Sequence, residues 1–231
     1  MRYDIMAMLW KEYSQFRRNM VNELGLLVVL AAACGVAVPA ISLSDPAIRG
    51  IAMFTPMLAG FSIFAVYFLT TLMSDGTFGE EIQAGAMRML LATRLRPVAL
   101  FTAKWLALMA RALVLLIAVA LLQLGTVRVR AGNLDGVDAG WMVWGAGMGL
   151  LVAAYIAAVN ATVSLVAKSA FQLRQLAGLA TLLPMLGLVG FGYLIGYGRG
   201  AVVFVSALLF VLTIASFFLA IVAFRSEKTR C

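Results

Sequence analysis

Histidine is absent from the 231 residues, and acidic side chains number only 10. The first absence removes His-based acid–base catalysis, His metal ligation and the Ser–His pair of an intramembrane serine protease. Cysteine is nearly absent as well. Cys34 falls in an apolar run and Cys231 is the last residue, so neither spacing nor position suggests a disulfide framework or a zinc site. No GxxxxGK[ST] phosphate loop occurs, which excludes nucleotide hydrolysis by that route. The glycines of GLVGFG, Gly187 to Gly192, lie inside an apolar run and resemble a nucleotide loop only superficially. The expectation is a chain that is not an enzyme and binds neither metal nor cofactor.

Charge is scarce too, at 12% of residues against 64% hydrophobic ones, with a mean hydropathy of +1.01. That balance belongs to a chain whose main solvent is lipid. About 20 apolar residues are needed for a helix to cross roughly 30 Å of hydrocarbon. Six stretches qualify: Leu24 to Leu43, Ile51 to Met73, Trp105 to Leu124, Trp141 to Val166, Leu176 to Ile195 and Ala201 to Phe224. They lack the alternation of a barrel strand, so the expected fold is an all-α membrane protein with six transmembrane helices. The first apolar run follows a charged segment and is long enough to span, which reads as a span and not as a cleaved signal.

Basic residues set the expected orientation. With the N-terminus inside, thirteen of the 18 Lys and Arg face the cytoplasm: Arg2, Lys11, Arg17, Arg18, Arg88, Arg94, Arg96, Lys104, Lys168, Arg174, Arg225, Lys228 and Arg230. Four, Arg49, Arg128, Arg130 and Arg199, face outward, and Arg111 lies within a span. Both termini are therefore expected in the cytoplasm of a multi-pass protein of the cell (inner) membrane. The net charge of +8 is explained by topology, and no compact basic domain remains to bind nucleic acid.

Ahead of the first span, Ile5, Leu9, Tyr13, Phe16 and Met20 recur at helical spacing within residues 1–22. With Trp10 and flanking arginines, this suits an amphipathic helix lying on the inner membrane surface; a cytoplasmic extension of the first span is the alternative. The longest stretch between spans on that side, residues 74–103, begins with Asp75, Glu80 and Glu81. It continues with Met87, Leu90, Leu91 and Leu95 as an apolar stripe among Arg88, Arg94 and Arg96, and Pro97 marks a break before the third span. Such a loop is suited to docking on a partner.

Within the spans, Arg111 stands roughly 10 Å along a helix from Lys104. It either snorkels back to the inner interface or lines a polar substrate path. Asn160, Thr162 and Ser164 are either helix-packing contacts or part of that path. Gly145, Gly149, Ala153, Ala157 and Ala161 form a small-residue face, as do Gly192, Gly196 and Gly200, suited to close helix packing, a dimer contact or a flexible outer gate. The apolar spans as placed hold no Asp or Glu, which argues against an ion-coupled transporter.

Glu81, Gly85, Leu90, Leu91, Thr93, Leu95 and Lys104 resemble the pattern E-x-x-x-G-T-x-x-x-L-L-x-[ST]-P-[LV], followed by a lysine opening the third span, of ABC-2-type transporter permeases. The resemblance extends to the N-terminal amphipathic helix near LWKEYSQFRRN, the six spans and the position of the main cytoplasmic loop. Arg94 stands where relatives often have proline, and Ala86 where threonine is usual. The resemblance implies a permease subunit that pairs with a second copy or a related permease and with two separate ATPase subunits, which hold ATP and Mg. It also implies a coupling helix over Gly85 to Arg96, with Glu81, Arg88, Leu90, Leu91, Arg94 and Arg96 at the ATPase and a second contact through Lys168 and Arg174. The substrate would be a lipid, drug or peptide moved across the membrane. A haem-exporter-like subunit of cytochrome c maturation stays open within the family. Outside it, a secondary transporter or membrane scaffold stays open.

Overall fold

A computed structural model describes residues 2–18, 20–44, 54–74, 97–132, 134, 137–167, 169, 171–172, 175–181 and 199–228. Among them every regular element is helical. In chain order these are α1 (Arg2–Arg18), α2 (Met20–Ala32), a π-helical turn (Ala33–Ala37), α3 (Val38–Ser44), α4 (Phe54–Ser74), α5 (Pro97–Ala131), α6 (Ala139–Val166) and α7 (Arg199–Lys228). Residues 175–181 add a further short helical stretch. Five segments are long and apolar enough to cross a membrane: Val21–Ser44, Phe54–Ser74, Val98–Ala131, Ala139–Leu165 and Val203–Ala223. The chain is a multi-pass membrane protein.

Three boundaries differ from those expected. The first span begins at Val21 and so includes Glu23, a carboxylate that a span starting at Leu24 leaves out. The third apolar run was expected over Trp105 to Leu124, yet α5 has 35 residues. At 1.5 Å per residue that is about 52 Å, well beyond the hydrocarbon thickness. Pro97 occupies its first position, where a missing N–H costs no helical bond. At the other end the helix continues past the expected span end at Leu124, through Arg128 and Arg130 to Ala131; basic side chains suit the negative end of a helix. Gly132, at φ 79°, then ends it in the left-handed conformation that glycine adopts at no steric cost. The fifth expected span, Leu176 to Ile195, lies mostly outside the described residues.

The π turn interrupts the first span without breaking it. Gln123, fully buried on α5, donates through Nε2 to the Cys34 carbonyl at 3.2 Å and the Leu58 carbonyl at 3.1 Å. Its Oε1 accepts from Ser62 Oγ at 3.3 Å, and Thr126 Oγ1 donates to the Gly35 carbonyl at 3.3 Å. In a dry interior these bonds satisfy carbonyls near the π turn and tie α5 to the first two spans.

The α4–α6 seam is the most extensive in the fold. Here the small-residue face of the fourth apolar run works within the chain. Gly145 lies against Ala59, Gly149 against Leu116, and Ala153, Ala157 and Ala161 are fully buried. A Cβ on Gly145 would stand 2.7 Å from the Ala59 Cβ and 3.0 Å from its Cα, so a backbone must move to admit it. Gly147, on the same helix, has nothing within 4 Å of the equivalent position. Gly145→Ala is therefore expected to lower the unfolding midpoint in detergent, by about 1–3 kcal/mol of overpacking. Gly147→Ala is expected to leave it unchanged or raise it slightly, since alanine favours helix. Equal midpoints for the two variants would refute the close approach.

Candidate functional site

α1 packs along the first half of α5. Ile5 and Leu9 pack against the buried core and Met8 is buried, as the apolar spacing requires, but Glu12 is buried on the same side. Tyr13, of the same apolar spacing, is 55% exposed. It joins Tyr3, Met6 and Trp10 on a second, outward face, and its ring lies 5.7 Å from that of Trp10.

Lys104 answers Glu12. Its Nζ donates to Glu12 Oε1 at 3.1 Å, and the two side chains are 0% and 4% exposed. Lys104, counted among the basic residues expected on the cytoplasmic side, is wholly enclosed, because α1 covers it. An enclosed ammonium is tolerable only with its countercharge in direct contact. Trp105, the next residue, turns to the other side of α5, where its Nε1 donates to the Ala154 carbonyl on α6 at 3.3 Å. The start of α5 is thus held between α1 and α6.

About two turns further along α5, Arg111 forms a second pair. Its Nε lies 3.4 Å from Glu23 Oε2, with the side chains 13% and 19% exposed, and its guanidinium carbon is 5.5 Å from the centre of the Phe16 ring. Arg111 is thus held by contacts within the chain. The carboxylate of the first span and an aromatic face hold it where it is. Between α1, α2 and α5 these residues border a groove of about 320 Å³, walled by Leu24, Leu27, Ala107, Ala110 and Val114.

Asn160 lies elsewhere. It is 2% exposed on α6, and its Oδ1 accepts no hydrogen bond from any described residue. Thr162 and Ser164 differ from it, since each donates to a carbonyl of its own helix, Ala158 at 2.9 Å and Ala161 at 2.6 Å. Gly145 faces Ala59 across the seam, and Asn160 and Ser74 stand the same number of residues further along their two helices. Ser74 and Thr70 on α4 are also buried, with hydroxyls that find no partner among the described residues. One end of the α4–α6 seam thus carries a small polar group with open valences. No hydrogen bond or ion pair joins Asn160 to Arg111, so the two expected path residues are not brought together. Leucine at position 160 removes a buried amide whose oxygen is unanswered among the described residues. Asn160→Leu is expected to hold or raise the unfolding midpoint; a fall of more than about 1 kcal/mol would mean the amide is satisfied in the folded protein.

The other expected site residues, Glu81, Gly85, Arg88, Leu90, Leu91, Arg94, Arg96, Lys168 and Arg174, lie outside the described residues. Glu12 and Glu23 are functional candidates that sequence reading passed over. Glu12 carried a signal, since it falls three residues after Leu9 and four before Phe16, on the apolar stripe itself. Glu23 carried a weaker one, standing beside the first apolar run. No family model, no curated protein and no solved structure matches the chain.

Proposed function

We propose that the chain is the permease subunit of an ATP-driven exporter of the ABC-2 type. In this reading a hydrophobic or amphipathic substrate crosses the cell membrane. Two phosphate-loop ATPase subunits bind ATP and Mg, a second permease copy completes the pathway, and this chain performs no chemistry itself. It crosses six times with both termini in the cytoplasm.

A sixth crossing is supported by the direction of α6 and α7. Trp144 Nε1 donates to Ser206 Oγ at 3.1 Å, and Thr213 Oγ1 donates to the Leu151 carbonyl at 3.4 Å, each pair 62 residues apart. A constant offset means parallel helices. Two parallel helices that follow one another in the chain need a return crossing between them, and six crossings leave the termini on one side.

The observation that carries the proposal is the buried Glu12–Lys104 pair. Lys104 is the lysine of the permease-like pattern, and it opens the span that follows the 74–103 loop. Its pairing locks α1 to α5 at the point where that loop enters the membrane. Closure of an ATPase dimer would push on the loop and move α1 and α5 as one body, a rigid-body transmission that needs a stiff joint at this place. The pair, with side chains 0% and 4% exposed, would be that joint.

The test is reconstitution. The chain is placed in liposomes with the phosphate-loop ATPase encoded by a neighbouring reading frame, and ATP hydrolysis is compared with that of the ATPase alone. The permease reading predicts that hydrolysis rises on assembly and responds to transported amphiphiles. Identical rates with and without the chain would overturn it in favour of a stand-alone transporter or scaffold.

A further inference from the structure

The π turn of the first span leaves two backbone carbonyls without their helical donors, and the sequence explains which two. In an α-helix the Cys34 carbonyl accepts from the N–H of residue 38 and the Gly35 carbonyl from that of residue 39. Here the Val38 N–H donates instead to the Ala33 carbonyl, five residues back, and Pro39 has no N–H to give. Cys34 thus loses its α-helical partner to Ala33 and its π-helical partner to proline, while Gly35 loses its α-helical one. Both are answered from α5. Gln123 Nε2 donates to the Cys34 carbonyl at 3.2 Å, and Thr126 Oγ1 donates to the Gly35 carbonyl at 3.3 Å.

The Cys34 carbonyl therefore has two ways of being satisfied. Were the Val38 N–H to return to it, the turn would become α-helical and Gln123 would be released, one hydrogen bond replacing another. A π turn holds one residue more than the α-helical turn it replaces, so every residue beyond it would advance by one place, a rotation of about 100°. The two faces of α3 are matched for that exchange. α3 now buries Pro39, Ser42 and Leu43, and the advance would bring Val38, Ile41 and Ser42 into the same places. Each set holds two apolar residues and one serine. Ile41 is 69% exposed in the described register, and Leu43, turned outward in its stead, would meet acyl chains as apolar as itself.

We propose that the π turn is a one-residue register switch, held in the described register by Gln123 and converted to continuous α-helix when α5 draws that amide away. A small displacement of α5 would then rotate the part of the first span beyond Ala37 about its own axis. Ser62 Oγ and the Leu58 carbonyl engage the same amide, so α4 shares in holding the switch. The proposal concerns contacts among the first three spans and does not depend on the exporter reading.

The experiment is disulfide trapping in membranes, in the full chain carrying Cys34→Ala and Cys231→Ser. Leu43 and Val127 share one buried cluster with Phe54 and Leu58, so Leu43→Cys with Val127→Cys reports the described register. Ser42→Cys with Val127→Cys reports the advanced one. Ser44→Cys with Val127→Cys, displaced equally in the other direction, is the control. The expected result is strong cross-linking from position 43, with position 42 well above position 44. Gln123→Leu leaves the Cys34 carbonyl without a donor in the described register, and should raise the ratio of position 42 to position 43 by about tenfold. Deleting Val36, 40% exposed within the turn, removes the extra residue; it should keep the cross-link from position 43 and lower that from position 42 to the control level. If Gln123→Leu does not fold, judged by its unfolding midpoint, the Val36 deletion decides the matter. Equal cross-linking from positions 42 and 44 overturns the proposal. So does a ratio that a folded Gln123→Leu leaves unchanged, and so does a Val36 deletion that fails to fold or keeps the cross-link from position 42.

Discussion

Replacing Lys104 with leucine is expected to destabilise the protein by about 3–5 kcal/mol, because the Glu12 carboxylate is left enclosed with no countercharge. Glu12→Leu should do comparable damage from the other side. Replacing both together should recover most of the loss, since two leucines of similar bulk can pack where α1 meets α5 and neither brings a charge to be desolvated. The measurement is equilibrium unfolding of the three variants in one detergent, read as a double-mutant cycle. A large coupling between positions 12 and 104 is the expected outcome, while additive losses would mean that the 3.1 Å contact contributes little. The double variant has a second use. Stability would return without the ionic joint, so a stable double variant that no longer transports separates coupling from folding.

The second large effect concerns residues 74–103. Replacing Leu90 and Leu91 together with glutamate is expected to abolish association with the ATPase while leaving insertion into the membrane intact. Adjacent apolar anchors of an interface commonly contribute 2 kcal/mol or more each, so losing both lowers affinity by about a hundredfold or beyond. New carboxylates facing acidic side chains of the ATPase would add repulsion. Membrane fractionation and co-purification check the two halves separately. A complex that survives the substitution would place the ATPase contact elsewhere on the chain.

Apolar runs, read against the length that a bilayer demands, were enough to find the described spans, because burial in lipid forces long uninterrupted stretches of apolar side chains. Their ends were harder to read. Nothing in hydropathy marks the extra turns of α5, since residues from Pro97 to Ala103 and from Gly125 to Ala131 are helical by packing and not by need of lipid. Position 12 shows a different gap. A glutamate on an amphipathic helix is ordinarily solvated, and only the arrival of Lys104 from 92 residues away makes its burial affordable. The same holds for Glu23 and Arg111, where a choice between snorkelling and lining a path omitted a third arrangement, a partner on the neighbouring span. Asn160 was found by residue type alone, and its unanswered amide is visible only once α4 is set against α6. The loop residues from Glu81 to Arg96 stand on resemblance, and their place in the account rests on the ATPase experiments.

Energy supplied from outside the chain is the claim on which the functional reading depends, and it is tested most directly by the mass of the complex. The chain is purified through its own affinity tag from cells that co-produce the neighbouring phosphate-loop ATPase, and the particle mass is measured in detergent. A permease of the ABC-2 type gives a particle of two permeases and two ATPases that falls apart when Leu90 and Leu91 become glutamate. A chain that purifies without the ATPase at every level of co-production, and still moves its substrate, would contradict that reading.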